Sequence, residues 1–219
     1  MIESFKINCY PLNRSIRTTI HLPNDYNKNN RYYPVIYLFD GQTHYLDNNL
    51  NNDHSIDLEN IINKLSYDGK DAIFISIAAA SNEEKRNLEY NDTVLADFII
   101  NTIHPYLNSR YRMNSYIYTL AYSKAALNAL KLVSNDLFKG IILISPIVDL
   151  DKVKNLIFNN DKLYYFYYGK KELNGLCHKN VNYLKSIISN IQILTDDNEL
   201  HNEEAWKKPI YEGLNYIVL

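Results

Sequence analysis

Glycine and proline are scarce in this chain, six of each in 219 residues. No stretch concentrates them, so nothing reads as a linker. Repeats and long charge blocks are missing too, and one domain over residues 1–219 is expected. No apolar run approaches the roughly 18–20 residues that span a bilayer, which argues against a membrane protein. The opening MIESFKINCY lacks the basic start and apolar core of an export signal, so the cytoplasm is the expected compartment. Only Cys9 and Cys177 carry thiols, too far apart in sequence for a metal motif; inert thiols, no metal and no cofactor are expected. Lysines and arginines are scattered and the net charge is -2, which leaves no electrostatic footprint for nucleic acid.

Tyrosine, by contrast, is abundant, with 20 copies. Most sit in runs such as Tyr164-Tyr165-Phe166-Tyr167-Tyr168, where aromatic residues suit a packed sheet better than base stacking. The Asn-rich stretch 48–52 matches the codon bias of an AT-rich genome and calls for no functional account.

Hydrophobic patterning organises the chain. Segments 5–10 and 16–22 mix apolar and polar residues and are expected to pair as an antiparallel hairpin at a sheet edge. After Pro34 come short, nearly continuous apolar runs at 35–39, 72–78, 116–120, 141–144, 163–168 and 191–194, the pattern of strands buried on both faces of a parallel sheet. Helix patterns fall between them at 55–65, 95–107, 124–134, 153–158, 181–188 and 203–217. In the second of these Leu95, Phe98, Ile99, Ile103, Tyr106 and Leu107 recur on one face. Pro209 interrupts the last pattern and predicts a kink or a late start. Strands alternating with helices mean a sheet covered on both sides.

Ligands of open α/β sheets bind at the carboxyl ends of strands, so reactive side chains just after strands are the candidates. Ser123 follows the 116–120 run in the stretch TLAYSKAALNAL, with helix immediately behind it. A nucleophilic serine needs a base and donors for the developing oxyanion. The Lys124 amide at the helix start is one such donor. The Gln42 amide, after the third strand, is the other, with Gly41 expected to take φ > 0 and turn it inward. Among six histidines, His21 lies in an expected edge strand, His54 in the Asn-rich loop, His104 mid-helix and His178 at a helix start; His44 is the sixth. His201, in the polar loop after the last strand, is the favoured base. For the acid that holds its imidazole, Glu172 after the seventh strand is favoured by position, with Asp196 and Asp197 as rivals.

With these residues in view, two antiparallel strands followed by six mostly parallel ones resemble the α/β-hydrolase fold. The segments HLPNDY at 21–26 and YPVIYLFDGQ at 33–42, RNLEY at 86–90 and LHNEEAW at 200–206 resemble motifs of the putative-esterase family. That group includes S-formylglutathione hydrolases, enterochelin-type siderophore esterases and feruloyl or acetyl-xylan esterases. The resemblance implies an α/β-hydrolase of about eight mostly parallel strands with a minimal lid. It also implies Ser123, Glu172 and His201 as the triad, the Gln42 and Lys124 amides as the oxyanion hole, and a small-molecule ester as substrate.

The departures are at the corner itself. Ala121, Ala125 and Ala126 stand where the family has glycine, each adding a methyl to a tight turn. Lys124 stands where Met, Leu or Gln is common and is expected to point into solvent. Two functions follow: a serine esterase cleaving small polar esters through an acyl-enzyme, or a non-catalytic relative that binds a ligand with an altered corner. The short segment after Ser145-Pro146 leaves little room for a lid and argues against a lipase.

Overall fold

The apolar runs become one eight-stranded sheet. In the computed structural model, which describes residues 1–45, 55–197 and 200–218, the order is β1-β2-β4-β3-β5-β6-β7-β8. The strands are β1 (Ile2–Cys9), β2 (Arg14–His21), β3 (Tyr33–Phe39), β4 (Ile73–Ile77), β5 (Met113–Tyr122), β6 (Gly140–Ile144), β7 (Leu163–Gly169) and β8 (Ile191–Asp196). β1 and β2 pair antiparallel, β2 meets β4 antiparallel, and the other neighbours run parallel. The hairpin therefore caps one edge, but β2 lies inside the sheet, so His21 is not in an edge strand. β3, β4 and β6 are buried on both faces as their unbroken apolar runs require, whereas β8 is half-exposed because it closes the other edge.

Helices cover both faces. They are α1 (Leu58–Tyr67), α2 (Glu83–Tyr90), α3 (Val94–Phe98), α4 (His104–Asn108), α5 (Ala126–Ser134), α6 (Leu150–Val153), α7 (Leu176–Ile187) and α8 (Glu203–Ile217). On one side Leu95, Leu130 and Val181 pack against Val35, Ile117 and Phe166; on the other Ile61, Trp206, Ile210 and Leu214 pack against Leu38, Leu120 and Tyr165. Each fully buried aliphatic side chain contributes about 1.5–3 kcal/mol. α8 lies very close to the sheet at Gly213. A Cβ there would come within 2.7 Å of the Tyr165 ring and 2.9 Å of Ile142 Cγ2.

Several helix expectations are corrected. The pattern at 95–107 is two short helices joined by a π-turn, Ile99–Ile103, just before Pro105, whose nitrogen cannot donate a helical hydrogen bond. Leu95, Ile99, Ile103 and Leu107 are buried, but Tyr106 is exposed and lies 3.7 Å from the Arg110 guanidinium. The expected helix at 153–158 is instead α6, which ends at Val153 and begins where the Asp149 side chain accepts from the Asp151 amide. α7 starts earlier than its apolar pattern, directly after Gly175 at φ 82°. α8 begins at Glu203, ahead of Pro209, because Asn202 caps it through the Ala205 amide. The polar α2 has no counterpart among the expected helices, although Asn82 accepts from Lys85 N and Glu83 and Glu84 occupy its first turn, a legible start signal.

Candidate active site

The carboxyl ends of β3, β5, β6 and β7 meet at one place, and the backbone there is strained. Seven non-glycine residues among those described have positive φ, and five of them lie at these ends: Asp40, Ser123, Ser145, Leu173 and Asn174. Each such conformation costs of order 1–3 kcal/mol and persists only where the surroundings impose it. Clustering of that kind points to a functional site.

Ser123 sits at φ 53° between Tyr122, the end of β5, and a 3-10 turn that leads into α5. The corner turns sharply and leaves the serine partly exposed, while Ala121, Ala125 and Ala126 are fully buried. The three methyls are thus absorbed into the core, and the strained serine conformation survives without flanking glycines. Lys124 does not point freely into solvent as expected. Its Nζ donates to Asn87 Oδ1 at 2.8 Å, tying the corner to α2.

His201 Nε2 and Ser123 Oγ are 2.8 Å apart. In the tautomer in which Nδ1 carries the proton, Nε2 accepts from the serine hydroxyl. Behind it, His201 Nδ1 lies 3.8 Å from Glu172 Oε1, a close approach but longer than a hydrogen bond. Glu172 is fully buried. Its carboxylate accepts from Ser145 Oγ at 2.8 Å and from the Gly169 amide at 3.1 Å. Trp206 Nε1 donates to Ser145 Oγ at 3.0 Å, and its ring meets His201 edge-on at 4.9 Å between centroids.

Burial sets the site's protonation. Desolvation raises the Glu172 carboxyl above its ordinary value against the pull of these donors. It lowers His201, which favours the neutral imidazole a base requires. Cys177, expected to be an inert thiol, lies 4.0 Å from His201 Nδ1, close to the Glu172 carboxylate. Glu172, Cys177 and His201 hold their ligand-type atoms within 4.8 Å of one another, the one such group among the described residues. Burial, then the nearby carboxylate, push the thiol up to about 12. It stays protonated at neutral pH, poorly suited to bind a metal and in keeping with an inert thiol.

On the other side of the serine, the loop after β3 is held by an ion pair. Arg86 on α2 forks onto Asp40, Nε to Oδ1 and Nη2 to Oδ2, both at 2.7 Å. Gln42 Nε2 donates to the same carboxylate at 3.0 Å, and Gln42 Oε1 accepts from the Ala79 amide at 3.1 Å. The left-handed residue is Asp40, φ 62°, and not Gly41 as expected. Gly41 is needed for closeness instead, since a Cβ there would lie 3.0 Å from the Ser76 carbonyl carbon. Among the described residues neither the Gln42 nor the Lys124 backbone amide has a protein acceptor. Both stay available to a ligand oxygen.

The other candidates are occupied elsewhere. His44 bridges Ser76 Oγ and the Phe39 carbonyl, buried, with its pKa lowered to about 4 by burial. His104 pairs with the Tyr37 hydroxyl at 3.0 Å and His178 with the Tyr168 hydroxyl at 3.1 Å. Buried His21 is likewise lowered to about 4, and His54 lies outside the described residues. Asp196 accepts from the Tyr167 hydroxyl at 3.2 Å and Asp197 pairs with Lys170 at 3.2 Å.

A family model described as Putative esterase matches residues 10–209, most of the chain. The chain belongs to this family. It is an ester-hydrolysing enzyme with the α/β fold of that group. Among solved structures, a ferulic acid esterase is 16% identical over 100% of this chain and 98% of its own, with a TM-score of 0.77. An enterochelin esterase from Shigella flexneri is 14% identical over 99% of this chain, with a TM-score of 0.80. The esterase described here spans 57% of the length of that protein. The BES protein from Bacillus cereus is 15% identical over 100% of this chain and 96% of its own, with a TM-score of 0.74. At these identities the likeness is one of fold. No curated protein sequence matches the chain. No helix among the described residues is long and apolar enough to cross a membrane.

Proposed function

We propose that this protein is a cytoplasmic serine carboxylesterase that hydrolyses small polar esters without a cofactor, using Ser123 as nucleophile, His201 as base and Glu172 as the acid that orients it. The observation that carries the reading is the 2.8 Å contact between His201 Nε2 and Ser123 Oγ at a strained strand-to-helix corner. Ser123 Oγ attacks the ester carbonyl carbon as its proton passes to His201 Nε2. The backbone amides of Gln42 and Lys124 receive the oxyanion. The ester C–O bond then breaks, the alcohol leaves with the proton from His201, and water repeats the sequence to release the acid and restore the serine.

The short connection between β6 and β7 leaves no large lid, which suits siderophore trilactones, sugar or feruloyl esters, and thioesters; the neighbours that are enterochelin and ferulic acid esterases favour the first two classes. A fluorophosphonate probe should label Ser123 in the folded protein. Turnover of 4-nitrophenyl acetate should be lost in Ser123→Ala and in His201→Ala. An unlabelled serine, or activity that survives both substitutions, would overturn the assignment. The competing reading of a non-catalytic binding protein requires His201 to lie beyond reach of Ser123, and the contact argues against it.

A further inference from the structure

Next to Gln42 the carboxyl edge of the sheet opens into a cleft of about 860 Å³, bounded by the β1–β2 hairpin, the residues after β4 and α2. Ser123 does not line it, but Gln42 does, so the cleft begins where the proposed oxyanion site ends. Its small-residue wall, Ala78 to Ala80, leaves room for a ligand chain to lie against the sheet edge.

The charge on this cleft is uneven. Arg14 and Glu89 neutralise each other, with Arg14 Nη2 2.8 Å from Glu89 Oε2. Lys6, Arg17 and Lys85 also line the cleft, and among the described residues their side chains have no acidic or hydrogen-bonding partner. Asp92 is the only other carboxylate on the wall. Moreover, Lys6 and Arg17 stand directly opposite each other in the β1–β2 register. Cross-strand partners project from the same face, and like charges in that position repel. The pair, and Lys85 of α2 on the same cleft, are exposed and unpaired, so all three cations are free to meet a ligand. An anionic ligand would relieve the repulsion.

We propose that this cleft binds the charged end of an ester substrate, one half of which terminates in a carboxylate, while Gln42 and Lys124 hold the ester carbonyl. The proposal rests on the esterase reading for the reaction, but the anion site stands on the cleft's own charges. A cleft lined by like charges also concentrates oppositely charged substrate, so the preference should weaken with salt.

Two matched ester pairs test it. Mono-4-nitrophenyl glutarate against 4-nitrophenyl valerate places the charge on the acyl half. 4-Acetoxybenzoate against 4-acetoxybenzamide places it on the alcohol half. In at least one pair the anionic member should be favoured in kcat/KM by about tenfold at low salt, from two or three exposed pairings, and the pair affected assigns the half. The double substitution Arg17→Glu with Lys85→Glu should abolish or invert that ratio, with folding checked by circular dichroism. No preference in either pair, or a ratio unmoved by charge reversal, would overturn the anion site. Glutarate binding measured by calorimetry tests the cleft independently of turnover: binding that charge reversal removes supports the cleft, and no binding to the wild-type protein refutes it. Failure of Ser123 to react with fluorophosphonate while glutarate still binds would strike the esterase mechanism and leave the cleft standing.

Discussion

The two sides of Ser123 are built to different tolerances. On the oxyanion side, Asp40 is gripped by both arms of Arg86 and by Gln42, and Gln42 in turn is fixed to the Ala79 amide. On the acid side, Glu172 is held firmly by Ser145 and Gly169, yet stands 3.8 Å from the imidazole it would orient. Charge stabilisation demands donors already in place when the oxyanion forms, whereas a carboxylate near an imidazole acts partly through its field and tolerates a longer gap.

The largest effect expected from breaking this contrast is on stability. Arg86→Leu leaves Asp40, 2% exposed in its side chain, as an uncompensated buried charge, and should cost about 3–5 kcal/mol in urea denaturation. A loss below about 1 kcal/mol would show that the pair is not the brace described. On the looser side, Glu172→Gln should lower kcat roughly a hundredfold, less than the ~10⁴-fold loss seen when a triad acid in direct hydrogen bond is replaced by its amide. A 10⁴-fold loss would mean that the 3.8 Å gap closes in the working enzyme.

The pH profile sharpens the same comparison. Burial lowers His201 below its usual 6.5, so the base stays neutral as pH falls past that value, and kcat/KM should reach half its plateau below pH 6.5. A midpoint above 6.5 would mean that Glu172 stabilises the imidazolium more than burial opposes it. The smallest effect belongs to the corner. Ala125→Gly restores the residue the family uses there, yet should cost about 0.5–1 kcal/mol in thermal stability and leave kcat within about twofold, since the alanine methyl is already packed.

Much of this is legible in the sequence because it is local. Unbroken apolar runs place the strands, and a serine, an acid and a histidine after the right strands point to one site. What stays hidden depends on contacts distant in the chain. Nothing in its sequence neighbourhood shows that α7 sets the Cys177 thiol beside Glu172 and His201. Residue type alone assigns the strain to Gly41, but the approach of the Ser76 backbone takes up that glycine, and Asp40 bears the positive φ. Lys124 reads as solvated because its partner, Asn87, sits on α2, a helix whose polar sequence lacks an apolar stripe.

The missing methyl at Gly213 acts as a thickness gauge. With Tyr165 and Ile142 pressed where a side chain would begin, the C-terminal helix can sit this close to the sheet only because the residue there carries no more than a hydrogen. The loop that carries His201 runs directly into that helix. The seating of the helix that follows His201 is thus fixed about three helical turns along it, by a residue with no chemistry of its own.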